Sequence, residues 1–253
     1  MKTSSIVVLL SFGLSVSAVH RHRPGPVKRQ LAQVFSNCTV PNTVALTFDD
    51  GPSIYARNIS DTLTKYNVKG TFFYNGNNRG CIYDQDNMAN VRYVYGQGHQ
   101  VASHTWGHRD LATLGSDEVR DEMRRVEEAL QRIVGVVPAF MRPPYESYND
   151  NVRTIAAARG QSLVLWDFDA GDDDGKPPAN TIRDYIDIIN QHPSTLLPLN
   201  HEIETTAHQV VPEVVDRLRA AGYRLVTVAE CLGGMDPYQS VGEPGTPDAS
   251  WHC

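Results

Sequence analysis

VALTFDDGP, residues Val44 to Pro52, reads as a short buried strand that ends in two adjacent carboxylates and then breaks. Val44, Ala45, Leu46, Thr47 and Phe48 form an apolar, partly β-branched run of strand length, and Gly51-Pro52 stops it. Asp49 and Asp50 therefore stand at the C-terminal mouth of a strand. In α/β folds ligands bind at this edge, because side chains there project out of the sheet into a crevice. Two like charges side by side repel unless a cation holds them. A divalent metal meets that need, with one carboxylate as ligand and the other free for proton transfer. The plainer alternative is a DDG turn that closes a strand. Partners elsewhere in the chain must decide.

Outward from this stretch, strand-like runs recur near Val44 to Phe48, Gly70 to Tyr74, His99 to Ser103, Ala139 to Met141, Ser162 to Phe168, Thr195 to Asn200 and Tyr223 to Val228. Amphipathic segments separate them. In Ser116 to Val134, residues Val119, Met123, Val126, Leu130 and Ile133 mark one helical face. Ser116 can cap that helix, Asp117 and Glu118 suit its first turn, and Gly135 stops it. Ile182, Tyr185, Ile186 and Ile189 mark a second helix; Val210, Val211, Val214, Val215 and Leu218 mark a third. About seven such units without a composition break predict one α/β domain, either a closed or incomplete parallel (β/α) barrel or an open doubly wound sheet. No dinucleotide glycine fingerprint follows the first strand, which favours the barrel. The Gly-, Pro- and Ser-rich tail from Gly233 to Cys253 is expected to be irregular and to wrap the surface.

The chain begins with features of a secretory signal over residues 1 to 18: Lys2, the apolar run Ile6 to Val16, and small residues up to Ala18. That run is too short to span a bilayer. Residues 19 to 29 are basic and end in Lys28-Arg29, as expected of a pro-segment removed before Gln30, or of a disordered arm that stays. Removing residues 1 to 29 takes five of the 23 Lys and Arg residues and none of the 29 Asp and Glu, so the net charge moves from −6 to −11. An acidic body of this kind argues against nucleic acid as a partner. The remaining chain of about 224 residues suffices for one α/β domain with a full core. Its four cysteines, Cys38, Cys81, Cys231 and Cys253, suggest two disulfides among three possible pairings. Asn37-Cys38-Thr39 and Asn58-Ile59-Ser60 are glycosylation sequons that fit a secreted route.

Further chemistry clusters at the predicted strand ends. Ser103-His104-Thr105-Trp106-Gly107-His108 carries two histidines four apart that can aim at one ion. One carboxylate and two imidazoles leave positions open for water, as in catalytic rather than structural zinc sites. In Met141-Arg142-Pro143-Pro144-Tyr145 neither proline has an N–H, so the Tyr145 amide is the first free donor after Arg142, on a stiff support suited to an oxyanion hole. Arg142 can pair with a carboxylate and keep it ionised, or simply be a surface residue of a rigid loop. The stretch after Trp166, Asp167 to Asp174, holds five acids in eight residues and does not match the calcium-loop template. Leu197-Pro198-Leu199-Asn200-His201 brings a histidine to a strand end, where an orienting carboxylate would make it a general acid.

Together these motifs resemble the polysaccharide deacetylase family, most nearly its secreted fungal chitin deacetylases. TFDDGP at Thr47 to Pro52, SHTWGH at Ser103 to His108, RPPY at Arg142 to Tyr145, DAGDD at Asp169 to Asp173 and LPLNH at Leu197 to His201 follow the family order. The resemblance implies a distorted, incomplete (β/α) barrel over residues 30 to 232, and hydrolysis of N-acetyl groups on chitin or chito-oligosaccharides. It implies Asp49 as general base, with Asp50, His104 and His108 as ligands of zinc, or of cobalt or another divalent transition metal. It also implies that Arg142 orients Asp49, that Tyr145 supplies the oxyanion amide, and that His201 is the general acid oriented by Asp172. Tyr145, Asp173 and Leu199 would line the sugar groove. Asp173 departs from the family, which usually has an aromatic residue there. Rival expectations are an acetylxylan esterase on the same residues and a non-catalytic wall-binding protein. A monomer secreted to the extracellular space or cell wall, with no membrane partner, completes the expectation. In a barrel the first and last strands are neighbours, which pairs Cys38 with Cys231 and leaves Cys81 for Cys253.

Overall fold

The protein is represented by a computed structural model that describes residues 30–253; the expected signal (1–18) and pro-segment (19–29) lie outside the described residues. The first third holds β1 (Val34–Phe35), β2 (Thr43–Val44), β3 (Thr47–Gly51), α1 (Ala56–Lys65), β4 (Thr71–Tyr74), α2 (Gln85–Gly96) and β5 (Gln100–Ser103). Next come α3 (Ser116–Val134), β6 (Val136–Pro138), β7 (Phe140–Met141), α4 (Asp150–Ala158), β8 (Ser162–Val164) and β9 (Phe168–Asp169). The last third holds α5 (Pro178–Gln191), β10 (Thr195–Leu196), β11 (Pro198–His201), α6 (Val211–Ala220), β12 (Arg224–Leu225), α7 (Val228–Cys231) and β13 (Tyr238–Val241).

Eight strands form one parallel sheet in the order β1-β8-β7-β5-β4-β3-β11-β9. β8 lies one strand from one edge of that sheet and β9 forms the other, yet only residues 165–167 separate them in sequence. So short a link spans at most about 14 Å. The two edges must therefore curl towards each other, and the sheet becomes an incomplete barrel. Leu165 N bonds Phe35 O on one side at 2.7 Å, and Asp167 N bonds Leu197 O on the other at 3.2 Å.

Alternate residues of each strand serve two cores. Phe48 and Phe72 face the outer helices with Ile59 and Leu63, and their ring centroids lie 5.0 Å apart. Ala45, Phe73, Ala102, Phe140, Val164 and Leu197 fill the inside. The expected face of α3 is buried throughout, and Gly135 ends that helix at φ 79°. The helix begins differently from the expectation: Gly115 is the N-cap and Glu118 accepts from its N–H, while the Ser116 hydroxyl is spent on Asn151.

Several predicted strands are shorter or split. The first breaks at Ala45-Leu46 into β2 and β3, and Ser162 to Phe168 becomes β8 and β9 on different parts of the sheet. Thr195 to Asn200 divides at Leu197, and Val228 opens α7 rather than ending a strand. At Ala45-Leu46 and at Leu197 the chain leaves the smaller sheet for the larger, and between β8 and β9 it crosses from near one edge of the same sheet to the other, tertiary events that local propensity does not encode. β2, β10 and β12 make a second, three-stranded parallel sheet. α7 closes the bottom of the barrel through Val228 N to Thr71 Oγ1 (2.9 Å) and Ala229 N to Gln100 Oε1 (3.0 Å). Two disulfides join Cys38 to Cys231 and Cys81 to Cys253, the expected pairing. The tail is less irregular than expected, because β13 pairs antiparallel with β6. No helix among the described residues is long and apolar enough to cross a membrane.

Candidate active site

The parallel sheet gathers the predicted groups at one edge, because every strand that ends in chemistry points the same way. β11 runs beside β3 with His201 opposite Asp49, and β5 runs beside β7 with Ser103 opposite Met141. A cleft of about 300 Å³ opens there, lined by Asp49, Asp50, His104, His108, Tyr145, Asp173, Leu199 and His201 among others. A wider depression of about 680 Å³ around Tyr66, Arg219 and Tyr223 contains none of these groups.

Asp49 is 2% exposed, and its Oδ1 accepts from Arg142 Nη1 at 2.9 Å. Arg142 is itself fully buried, and four of its five N–H groups are engaged. It donates to Val164 O (3.1 Å), Leu165 O (2.8 Å) and Thr47 Oγ1 (2.6 Å), and its guanidinium carbon lies 4.4 Å from the Phe73 ring centre. A buried ion pair held by this many fixed acceptors cannot drift. Asp49 is therefore held in one orientation, with Oδ2 left towards the cleft, 3.6 Å from His104 Nε2.

Asp50 Oδ1 lies 3.4 Å from His108 Nε2 and 3.8 Å from His104 Nε2. A tetrahedral site with bonds of about 2.0–2.1 Å separates its ligand atoms by about 3.3 Å, so the donors stand close to the spacing a divalent ion needs. His104 Nδ1 donates to Arg142 O at 2.8 Å, and His108 Nδ1 lies 3.1 Å from the Tyr145 hydroxyl. The carbonyl partner fixes the proton of His104 on Nδ1, and on both rings the Nδ1 contact leaves Nε2 as the atom turned towards Asp50. Burial and the nearby His104 hold the His108 pKa below the ordinary imidazole value, which favours the neutral form that binds metal. Burial works to raise the Asp50 carboxyl, but His104, His108 and the Arg79 hydrogen bond hold it below its usual value. Asp50, His104 and His108 thus fit a metal by donor type, spacing and orientation.

His201 faces this pair from β11. Its Nδ1 is 2.8 Å from Asp172 Oδ1, while its backbone N–H (2.9 Å) and Thr206 Oγ1 (2.5 Å) donate to Asp172 Oδ2. Burial alone would lower the imidazole pKa, but the Asp172 hydrogen bond and the charges of Asp172, Asp49 and Asp50 raise it to about 9. Tyr145 stands 68% exposed at the rim. The bonds of its turn run from Glu146 N to Pro143 O and from Ser147 N to Pro144 O, so they do not use the Tyr145 amide. Leu199 lines the floor, 6% exposed. Asp173 reaches the rim, but its carboxylate is engaged by Arg79 at 2.9 Å and 3.0 Å, so its charge does not stand free in the groove.

Five of the eight non-glycine residues with positive φ among the described residues lie here: Asp50, Thr105, His108, Tyr145 and Glu146. Each such conformation costs roughly 1–3 kcal/mol and persists only where the surroundings over-determine it. Asn75 supplies part of that restraint by donating to His104 O (2.5 Å) and Thr105 O (3.0 Å).

Some residues at the site were absent from the sequence reading or carried no role in it. Thr47 links Arg142 to Pro198 O, Trp166 lines the cleft, and Glu202 is fully buried beneath the Asp49-Asp50 turn. Arg79 was also missed. A basic residue in the loop after a predicted strand, in a chain this acidic at that edge, was the available signal.

The polysaccharide deacetylase family model matches residues 36–164. A chitin deacetylase of Pestalotiopsis sp is 38% identical over 202 residues, 79% of this chain and 67% of that protein. A chitin deacetylase of Colletotrichum lindemuthianum is 36% identical over 202 residues, 78% of this chain and 82% of that one. Among solved structures, the chitin deacetylase from the fungal pathogen Colletotrichum lindemuthianum aligns with a TM-score of 0.76 at 31% identity, covering 88% of this chain and 96% of its own. The Bc1960 peptidoglycan N-acetylglucosamine deacetylase aligns with a TM-score of 0.73 at 27% identity, covering 83% and 96%.

Proposed function

The chain belongs to the polysaccharide deacetylase family, and from that premise we propose that it is a metal-dependent hydrolase removing N-acetyl groups from chitin or chito-oligosaccharides with release of acetate. The observation that carries this reading is the facing of Asp49 and His201 from adjacent strand ends, each with its own charged partner, beside the Asp50, His104 and His108 donor set. Bound there, zinc or another divalent transition metal would serve as a Lewis acid towards the acetamide carbonyl and the attacking water.

Asp49, kept in place by Arg142, accepts the water's proton as attack begins. The Tyr145 amide donates to the oxyanion that develops on the carbonyl oxygen. His201, kept protonated by Asp172, then delivers its proton to the departing sugar amine. An amine leaves poorly without that proton, whereas an ester alcohol needs it less; a histidine raised to about 9 therefore suits amide hydrolysis better than the acetylxylan esterase alternative. Leu199 on the floor and Tyr145 on the rim contact the sugar.

Residues 1–18 serve as the signal and 19–29 as a pro-segment, residues 30–232 form the catalytic domain, and 233–253 is an accessory tail. The mature protein is a secreted monomer, glycosylated at exposed Asn37 and Asn58. Incubation with chitin oligomers and with acetylated xylan, following acetate release with and without chelator, tests the proposal. Chelator-sensitive release from the chitin oligomers is expected. Release from acetylxylan alone would establish the esterase, and release from neither would leave a binding protein.

A further inference from the structure

Asp50 is held on its outer side as firmly as on its inner one. Its Oδ1 faces the two imidazoles and also accepts from Asn78 Nδ2 at 3.1 Å. Its Oδ2 points the other way and receives two bonds from one guanidinium, Arg79 Nε at 3.2 Å and Nη2 at 2.9 Å. The same Nη2 meets both oxygens of Asp173 at 2.9 Å and 3.0 Å. Arg79 thus bridges a buried carboxylate at the centre and a half-exposed one at the rim. Its loop is fixed independently of that bridge. Asn75 N bonds Gly51 O at 2.8 Å, Gly76 N and Asn77 N both bond Trp106 O (3.0 Å and 2.7 Å), and Cys81 is tied to Cys253. One short loop therefore straps the Asp50 turn to the His104–His108 segment and carries Arg79 at a fixed height above both.

A free carboxylate can turn to present either one oxygen or both to an ion. Two donors on Oδ2 remove that freedom and leave Oδ1 as the ligand atom. We propose that Arg79 is a positioning residue for the metal centre, fixing Asp50 as a one-oxygen ligand, and that Asp173 serves to aim Arg79 rather than to contact the sugar. This rests on the reading of Asp50, His104 and His108 as the metal site. The departure at Asp173 then has a reason within this chain: its carboxylate partners a cation in the 75–81 loop.

The sign of the effect needs a charge-balanced test. Removing Arg79 alone takes a cation away from a dication and leaves Asp173 unpaired, and both changes favour metal electrostatically. Removing both members changes no net charge, so the double variant isolates orientation. Metal affinity measured by chelator competition is expected to fall about tenfold or more in R79A/D173N, the range seen when a group that orients a ligand is lost. D173N alone should lose less, because Arg79 keeps its bonds to Asp50. The visible spectrum of the cobalt-loaded double variant should shift as Asp50 gains freedom to bind through both oxygens, a change that a merely structural role would not produce. R79Q/D173N repeats the comparison with less loss of packing should R79A/D173N fold poorly. Affinity within twofold of wild type, with an unchanged cobalt spectrum, overturns the positioning role. Full metal occupancy in H104A would instead overturn the metal-site reading beneath it.

Discussion

Asp172→Asn separates the acid from the base. The imidazole of His201 is buried, which by itself lowers its pKa, and Asp172 is the main group that reverses the effect and brings it to about 9. Asparagine keeps the shape and can still accept a bond, but the charge is gone. The His201 pKa should then fall to the ordinary 6.5 or below, a change of about 2–3 units, or roughly 3–4 kcal/mol of lost preference for the imidazolium. A general acid works only while protonated. At pH 8 the protonated fraction falls from about nine-tenths to about 3%, so kcat/KM should drop ~30-fold there and much less near pH 5.5. A bound dication lowers both enzymes' limbs together, so the difference between them is the quantity to read. The measurement is kcat/KM on a chitin oligomer from pH 5 to 10, with the alkaline limb moving down in the variant. Stability follows the same sign. A folded-state pKa raised above 6.5 contributes stability that is full below pH 6.5 and is lost as pH rises through about 9, so the pH-dependent part of the melting difference should vanish above pH 9. An alkaline limb that stays within about half a unit of wild type would refute the assignment of His201 as an acid tuned by Asp172.

Asp49→Asn should retain metal and lose at least about 100-fold in kcat, as measured by metal analysis beside acetate release, because the amide cannot take a proton from water. Arg142→Met leaves Asp49 buried without its cation and removes the guanidinium donors from the carbonyls of Val164 and Leu165. Denaturant unfolding should show a loss of about 3–5 kcal/mol. Glu202 is fully buried beneath Ser53, its Oε1 lacks a partner among the described residues, and burial foremost raises its pKa to about 8. Its contribution to stability is therefore full below pH 4.5 and is lost as pH rises through about 8, so Glu202→Gln should melt higher than wild type above pH 8 and show no such gain near pH 4. Equal melting temperatures at pH 9 would place Glu202 in a polar setting instead.

Much of the site could be read from short stretches. The DDGP break, the paired histidines of SHTWGH and the donor-free prolines before Tyr145 each carry their chemistry within a few residues. The α3 face was equally legible, because a period of 3.6 is a local property. The strands were less so. Val44 to Phe48 is one strand-like run, but β2 and β3 belong to different sheets, and nothing in those five residues says where the chain changes partner.

What the sequence determined by itself was the alternation of strand and helix, the presence of paired carboxylates, paired histidines and a third histidine at strand ends, and their order along the chain. Tertiary structure decided how they meet. The register that sets His201 opposite Asp49 brings together residues 152 apart in number. Arg79 reaches Asp173 across 94 positions. The left-handed backbone at Thr105 and Tyr145 is imposed on a β-branched and a bulky residue that rarely adopt it. Each of these depends on which strand end lies beside which, and that is fixed by packing inside and outside a curled sheet, a property of the whole chain rather than of any window within it.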